Sequence, residues 1–269
     1  MTITLPNIHP TAIVEEGAKV SNSCKIGPYC CVGPEVTLDH NVCLVSHVVV
    51  SGRTFIGRGT KVWPFSSVGT EPQDLKYNGE KSTLTIGQNN LIRECVSIST
   101  GTDGGGGITS IGNNCLFMLG SHVGHDCKLG DNIIIANNSA IAGHVIIEDN
   151  VNIGGLVGVH QFCRIGEGSM IGAHAMVSKD IIPFSMIVGM RPVLSGVNLV
   201  GLKRRGSKRE DMKKLADVFS RLFEKKGNQS FHERLEAIDK DELYQITEVQ
   251  KVIKFMKQES TRSYVAPKT

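Results

Sequence analysis

The chain has 269 residues, 40% hydrophobic and only 5% aromatic, with a formal net charge of +3 at neutral pH. That length allows one large domain or two smaller ones, and the charge is too small to point to nucleic acid. No run of about 18 apolar residues argues for a membrane span, and the start, MTITLPNIHPTA, lacks the basic and apolar regions of a secretory signal, which points to the cytoplasm.

In chain order, the first pattern is a strict period of six. It begins at Val14 and continues through Val20, Ile26, Val32, Leu38, Leu44, Val50, Ile56, Val62 and Val68. Residues 70–85 interrupt it, Ile86, Ile92 and Ile98 resume it in phase, and residues 99–110 shift it by one. It then runs from Ile111 through Phe117, Val123, Leu129, Ile135, Ile141, Ile147, Ile153, Val159, Ile165 and Ile171 to Val177. A helix repeats every 3.6 residues and a strand every 2, so neither explains this spacing. Hexapeptide repeats do, as the signature of a parallel β-helix, an all-β solenoid. The two interruptions read as loops extruded from it, and such insertions often lie on the binding face.

Four residues after the ladder comes a second inward slot that takes small side chains. Cys24, Cys30, Cys115, Cys127 and Cys163 occupy it, alongside Ala18, Ser66, Ser121, Ser139, Ser169 and Ala175. These cysteines therefore read as small buried hydrophobes, not as disulfides or metal ligands. No metal site and no cofactor is implied.

Past Val177 the period fades. Residues 207–226 read as a helix with Met212, Leu215, Ala216, Phe219, Leu222 and Phe223 on one face, a capping box from Ser207 to Glu210, and Gly227 as its stop. A second helix is expected near 241–257, with Leu243, Ile246, Val249, Ile253 and Met256 on a face. Residues 1–190 are thus expected to form the solenoid, and residues 191–269 a C-terminal helical domain that caps its open end.

With three hexads per coil, residues eighteen apart stack in columns about 4.8 Å apart. His125 then lies over Gly143 and Gln161, Asp126 over His144 and Phe162, and His122 over Ala140 and Gly158. This patch has the parts for acyl transfer. A neutral His125 can take a proton from an attacking hydroxyl, Asp126 can orient its ring, and the Gly143 N–H can face a developing oxyanion. No Ser or Cys nucleophile lies in the column, so direct attack by the acceptor is expected. His9, His40, His47, His174 and His232 read as solvated histidines.

The segments PQDLKYNGE, SHVGHDC, ANNSAIAGHV, VGVHQFC and GVNLVGLKRRG resemble those of the acyl-carrier-protein-dependent UDP-N-acetylglucosamine O-acyltransferases, which open lipid A synthesis. The resemblance spans the chain. It implies a left-handed parallel β-helix, a homotrimer with sites between subunits, and transfer of an R-3-hydroxyacyl chain from acyl carrier protein to the sugar 3-hydroxyl. It implies His125 as general base, Asp126 as its orienter and Gly143 as oxyanion donor. Gln73, Asp74 and Lys76 would contact the sugar from the partner subunit, while His122, His144, His160 and Gln161 line the groove. Asn198, Arg204 and Arg205 would face the uridine and phosphates, for which the arginine fork is suited. Ala173 falls where the family bounds the acyl chain. Ser99 and Val200 depart from the family's usual histidine and glutamate. The basic residues around Arg204 are candidates for docking the acidic carrier protein. Alternatives are a 3-amino sugar nucleotide as acceptor, a zinc hydratase using His122 and His125, and a scaffold without catalysis.

Overall fold

A computed structural model describes residues 7–224, 230–242 and 245–268. Most strands are two residues long, and they stack into three sheets that form the walls of a triangular solenoid. The first sheet begins at Asn7–Ile8, the second at Ile13–Val14 and the third at Lys19–Val20. Pairing is parallel and spaced by one coil: His122 lies beside Ala140, and Ala140 beside Gly158. The fold is the left-handed parallel β-helix that the resemblance implied.

The period of six has a direct physical basis. The ladder residues from Ile26 to Val68 and from Ile111 to Val177 are all buried, and the cysteines at 24, 30, 115, 127 and 163 are buried and free. Each fully buried branched aliphatic stabilises the stack by roughly 1.5–3 kcal/mol. The corners are left-handed turns. One corner column carries Asn41, Asn89, Asn114, Asn132 and Asn150 with φ between 55° and 61°, a region asparagine tolerates better than most side chains.

Both interruptions leave the solenoid at one corner, between the second and third sheets. Strand Ser67–Thr70 leads into residues 71–82 before strand Thr83–Ile86, and strand Ser97–Ser99 leads into residues 100–107 before Ile108–Ile111. The strands reach further into each interruption than the break in pattern suggests: Leu84 and Thr109 are fully buried. Ser67 still pairs with Ser97, and Ser97 with His122, so the coils beyond each loop keep their place.

At the far end, strand Ser185–Val188 joins the first sheet in parallel and then pairs antiparallel with Val193–Val197. Four α-helices follow among the described residues: α1 (Leu199–Arg204), α2 (Arg209–Leu222), α3 (Phe231–Lys240) and α4 (Thr247–Lys257). The helix expected over 207–226 begins at Arg209, and its expected capping box is absent because Ser207 Oγ donates to Glu248 Oε1 instead, at 2.8 Å. A capping box does form, between Ser230 and Glu233 at the start of α3, a helix the apolar spacing did not reveal. Gly227 and Leu243 lie outside the described residues. The buried faces of α2, α3 and α4 continue the solenoid core. No helix among the described residues is long and apolar enough to cross a membrane.

The chain then returns along the last coils as a strap. Asp180 N–H donates to Ser263 O and Val265 N–H to Asp180 O, at 2.9 and 2.8 Å. Asp180 is fully buried and also receives Arg164 Nε at 2.8 Å and Ser260 Oγ at 2.7 Å.

Candidate active site

The loop-bearing corner also carries the expected column. Asp126, His144 and Phe162 share the left-handed corner position, with φ of 59°, 62° and 63°. His144 stacks on Phe162 with ring centroids 4.4 Å apart, and its edge meets His125 at 4.9 Å. The His125 ring lies directly over Gly143, where a Cβ would come within 2.5 Å of it, so only glycine lets the imidazole sit there.

Asp126 is 3% exposed. His125 Nδ1 lies 2.8 Å from Asp126 Oδ2. A carboxylate only accepts, so Nδ1 carries the proton and Nε2 keeps its lone pair. Asp126 is itself held from the second loop: Thr102 N–H donates to Oδ1 at 2.9 Å and Thr102 Oγ1 to Oδ2 at 2.6 Å. The Asp126 N–H donates to Thr109 Oγ1 at 2.8 Å. A Cβ on Gly105 would overlap the Asp126 carboxylate, so the loop needs glycine where it crosses that side chain. Thr102, Thr109 and Gly105 were missed in the sequence. The run TDGGGG marked a loop, but its reach over Asp126 is visible only once the coils are stacked.

The first loop brings Asp74 Oδ2 to 4.0 Å from His125 Nε2. Within the chain Asp74 thus reaches its own His125, because the loop leaves the solenoid at the same corner. Lys76 is exposed, and its N–H donates to Asp74 Oδ1 at 3.0 Å.

A cleft of about 1200 Å³ opens beside this column. Gln73, Ser99, His122, His125, Gly143, His160 and Gln161 line it at one end, and the small Ala140, Ala142 and Gly158 form its floor. Met176, Met190, Pro192 and Val193 stand at the other end, with Val265–Lys268 of the strap along one side. His122 Nδ1 is 2.7 Å from Ser97 Oγ. Burial pushes the His122 pKa down, helped by nearby His125 and opposed by the Ser97 bond. Burial also lowers His144, against the pull of Asp126. The Gly143 N–H has no acceptor among the described residues.

The expected nucleotide-binding residues lie apart from this cleft. Asn198 caps α1, accepting from Gly201 N–H at 3.0 Å and donating to Gly168 O at 2.9 Å. Arg205 extends over Phe184 beside Gly168, and Arg204 is exposed on the same helix. Gly168 belongs to the corner between the third and first sheets, so this set lies on a different edge of the prism from His125. Ala173 is exposed at the remaining corner, and the cleft ends at Met176 and Met190 instead. Of the histidines read as solvated, His47 lies tilted between the rings of Tyr29 and Phe65, and His40 pairs with Asp39.

One ligand atom each from His125, Asp126 and His144 lie within 4.8 Å of one another, a spacing a metal ion can bridge. Asp126 Oδ2, however, already accepts from both His125 and Thr102 at hydrogen-bond distance. That geometry matches a base with its orienting acid more closely than a ligand set.

Comparison with known proteins places the chain in one family. The C-terminal domain model of UDP N-acetylglucosamine O-acyltransferase matches residues 180–265, and the bacterial transferase hexapeptide model matches residues 108–143 and 144–179. An acyl-carrier-protein–UDP-N-acetylglucosamine O-acyltransferase of Sinorhizobium fredii is 42% identical over 99% of this chain and 98% of its own length. One from Paracoccus denitrificans is 50% identical over 77% of each chain. The structure of LpxA from Acinetobacter baumannii superimposes with a TM-score of 0.92 at 39% identity, covering 96% of this chain and 99% of that one. With a hexapeptide solenoid, a histidine–aspartate pair at its loop-bearing corner and relatives that match from end to end, the chain belongs to the acyl-carrier-protein-dependent UDP-N-acetylglucosamine O-acyltransferase family.

Proposed function

We propose that this enzyme moves an R-3-hydroxyacyl chain from acyl carrier protein to the 3-hydroxyl of UDP-N-acetylglucosamine, the opening step of lipid A biosynthesis, with His125 as general base. The observation that carries the assignment of roles is the His125 ring itself. Its Nδ1 is tied to a buried carboxylate, and its Nε2 faces the cleft with no closer partner among the described residues than Asp74 at 4.0 Å.

The step follows from that arrangement. The sugar hydroxyl attacks the thioester carbonyl while its proton passes to His125 Nε2. The imidazolium so formed lies between Asp126 and Asp74, and both carboxylates favour it. The carbonyl oxygen becomes an oxyanion that the free Gly143 N–H can meet. Collapse breaks the carbon–sulfur bond, and the proton on His125 passes to the departing thiolate. Gln73, Lys76, His122, His144, His160 and Gln161 are proposed to hold the sugar and the acyl head. The apolar cleft beyond Gly158 takes the chain.

Asn198, Arg204 and Arg205 are proposed to bind the nucleotide from a neighbouring copy in a homotrimer, since in one chain they lie on another edge from His125. The solenoid over 1–190 and the helical domain over 191–269 remain the proposed division of labour. A cytoplasmic setting accords with the proposed donor, a carrier protein charged inside the cell.

His125→Ala is expected to keep the fold and to lower turnover by roughly 10²-fold or more. Mass spectrometry of the product made from UDP-N-acetylglucosamine and a series of hydroxyacyl carrier proteins tests the reading directly. Formation of product only from a 3-amino sugar nucleotide would move the assignment to N-acyl transfer. Stoichiometric zinc, with activity lost to a chelator, would move it to a hydratase.

A further inference from the structure

The strap contains a charged side chain that the reaction described above does not use. Arg262 is half-buried behind the cleft wall. One of its terminal nitrogens lies 3.0 Å from His160 Nδ1 and 3.0 Å from the carbonyl oxygen of Gln161. These are the residues directly below Ala142 and Gly143 beside the reactive corner, and both line the cleft. The strap cannot drift at this point, because bonds from Asp180 fix it on both sides of Arg262, to Ser260 at 2.7 Å and to Ser263 at 2.9 Å.

A guanidinium has donors and no acceptor, so the His160 nitrogen it meets must be the unprotonated one. The proton is then on Nε2. The Gln161 carbonyl lies 3.3 Å from the same Nδ1, and an acceptor cannot bond an acceptor, so Arg262 supplies the single donor that both need. Without it, His160 would be free to turn its Nδ1–H onto that carbonyl and present a bare Nε2 instead.

We infer that Arg262 is a positioning residue: it locks His160 in the Nε2–H tautomer, so that the cleft wall offers a hydrogen-bond donor one coil below Ala142. The ligand feature it suits is an uncharged oxygen acceptor, on the acyl head or on the sugar. The inference rests on the acyl-transfer reading for its kinetic part only, since the tautomer can be read without substrate.

The test uses the full-length enzyme with isotope-labelled histidine. The His160 resonance is identified by its loss in His160→Gln. Wild type is expected to show His160 with Nδ1 unprotonated, and Arg262→Met to lose that signature while keeping the wild-type melting temperature. In the acyltransferase assay Arg262→Met is expected to lower kcat/KM about fivefold, as for the loss of a neutral hydrogen bond. In a His160→Ala background the same change is expected to do less than about twofold, the non-additivity of residues that act as one unit. An unchanged His160 tautomer, or fully additive losses, would overturn the inference. A wild-type enzyme that shows the expected tautomer and no acyl transfer would instead remove the functional reading and leave the Arg262 contact standing.

Discussion

At the scale of single residues, the site depends on what is missing as much as on what is present. Gly143 has no side chain, and the His125 ring fills that space. Gly143→Ala is expected to fold normally and to lower kcat about 10²-fold, because a base displaced by an ångström loses its geometry. Steady-state kinetics with a matched melting curve checks this. His122 and His144 give a second expectation, in pH. Burial lowers both folded-state pKa values from the ordinary 6.5, so below that value the unfolded chain takes up protons first. Stability is therefore full above about pH 7 and falls as the pH drops through the window below 6.5. The melting temperature of wild type between about pH 7 and 5.5 should decline more steeply than that of His144→Gln. Equal slopes would mean that His144 titrates as it does in the unfolded chain.

At the scale of elements, the glycine-rich loop 100–107 acts as a latch on the base. Thr102 gives Asp126 two of its hydrogen bonds, one from the backbone and one from the hydroxyl. Thr102→Val keeps shape and removes only the hydroxyl bond. It is expected to reduce kcat/KM about tenfold, in line with a hydrogen bond to a charged group, and to leave KM for the sugar nucleotide nearly unchanged. A KM effect alone would show that the loop serves binding instead. The sequence made the loop's existence plain and hid its task. Periodicity reports which residues point inward, but an excursion carries no period, so its contact with Asp126 had to wait for coordinates. The same limit explains the helices. An apolar stripe located α2 and α4, whereas α1 is only six residues long and α3 declares itself through its Ser230–Glu233 cap. The Arg262 contact, over a hundred residues from its target, left no trace in spacing.

At the scale of the whole molecule, the columns were fully legible. Eighteen residues per coil placed His125 on Gly143 and His144 on Phe162 before any coordinates, because a repeat converts sequence distance into spatial distance. What the repeat did not reveal is which edge each half of the site occupies. The His125 set and the Asn198–Arg205 set stand on different corners of one prism, and the first loop belongs to the former. If neighbouring copies complete each other's sites, two defective chains should rescue one another. Co-expressed His125→Ala and Arg205→Ala subunits are expected to regain activity that neither homo-oligomer has, since some interfaces then pair an intact base with an intact arginine. Absence of rescue, with mixed oligomers confirmed by mass, would place the whole site within one chain.

The shared exit corner of the two loops has a consequence for how this architecture tolerates change. The solenoid behaves like a screw thread in which each residue has an angular address. Thirty residues separate Ser67 from Ser97 and twenty-five separate Ser97 from His122, yet all three keep the same address, because the surplus is ejected sideways. Either excursion can therefore lengthen without turning anything beneath it. Loss of a single hexad between Ile111 and Val123 would rotate His125 by a third of a turn, to the next corner, while Thr102 and Asp74 stayed behind.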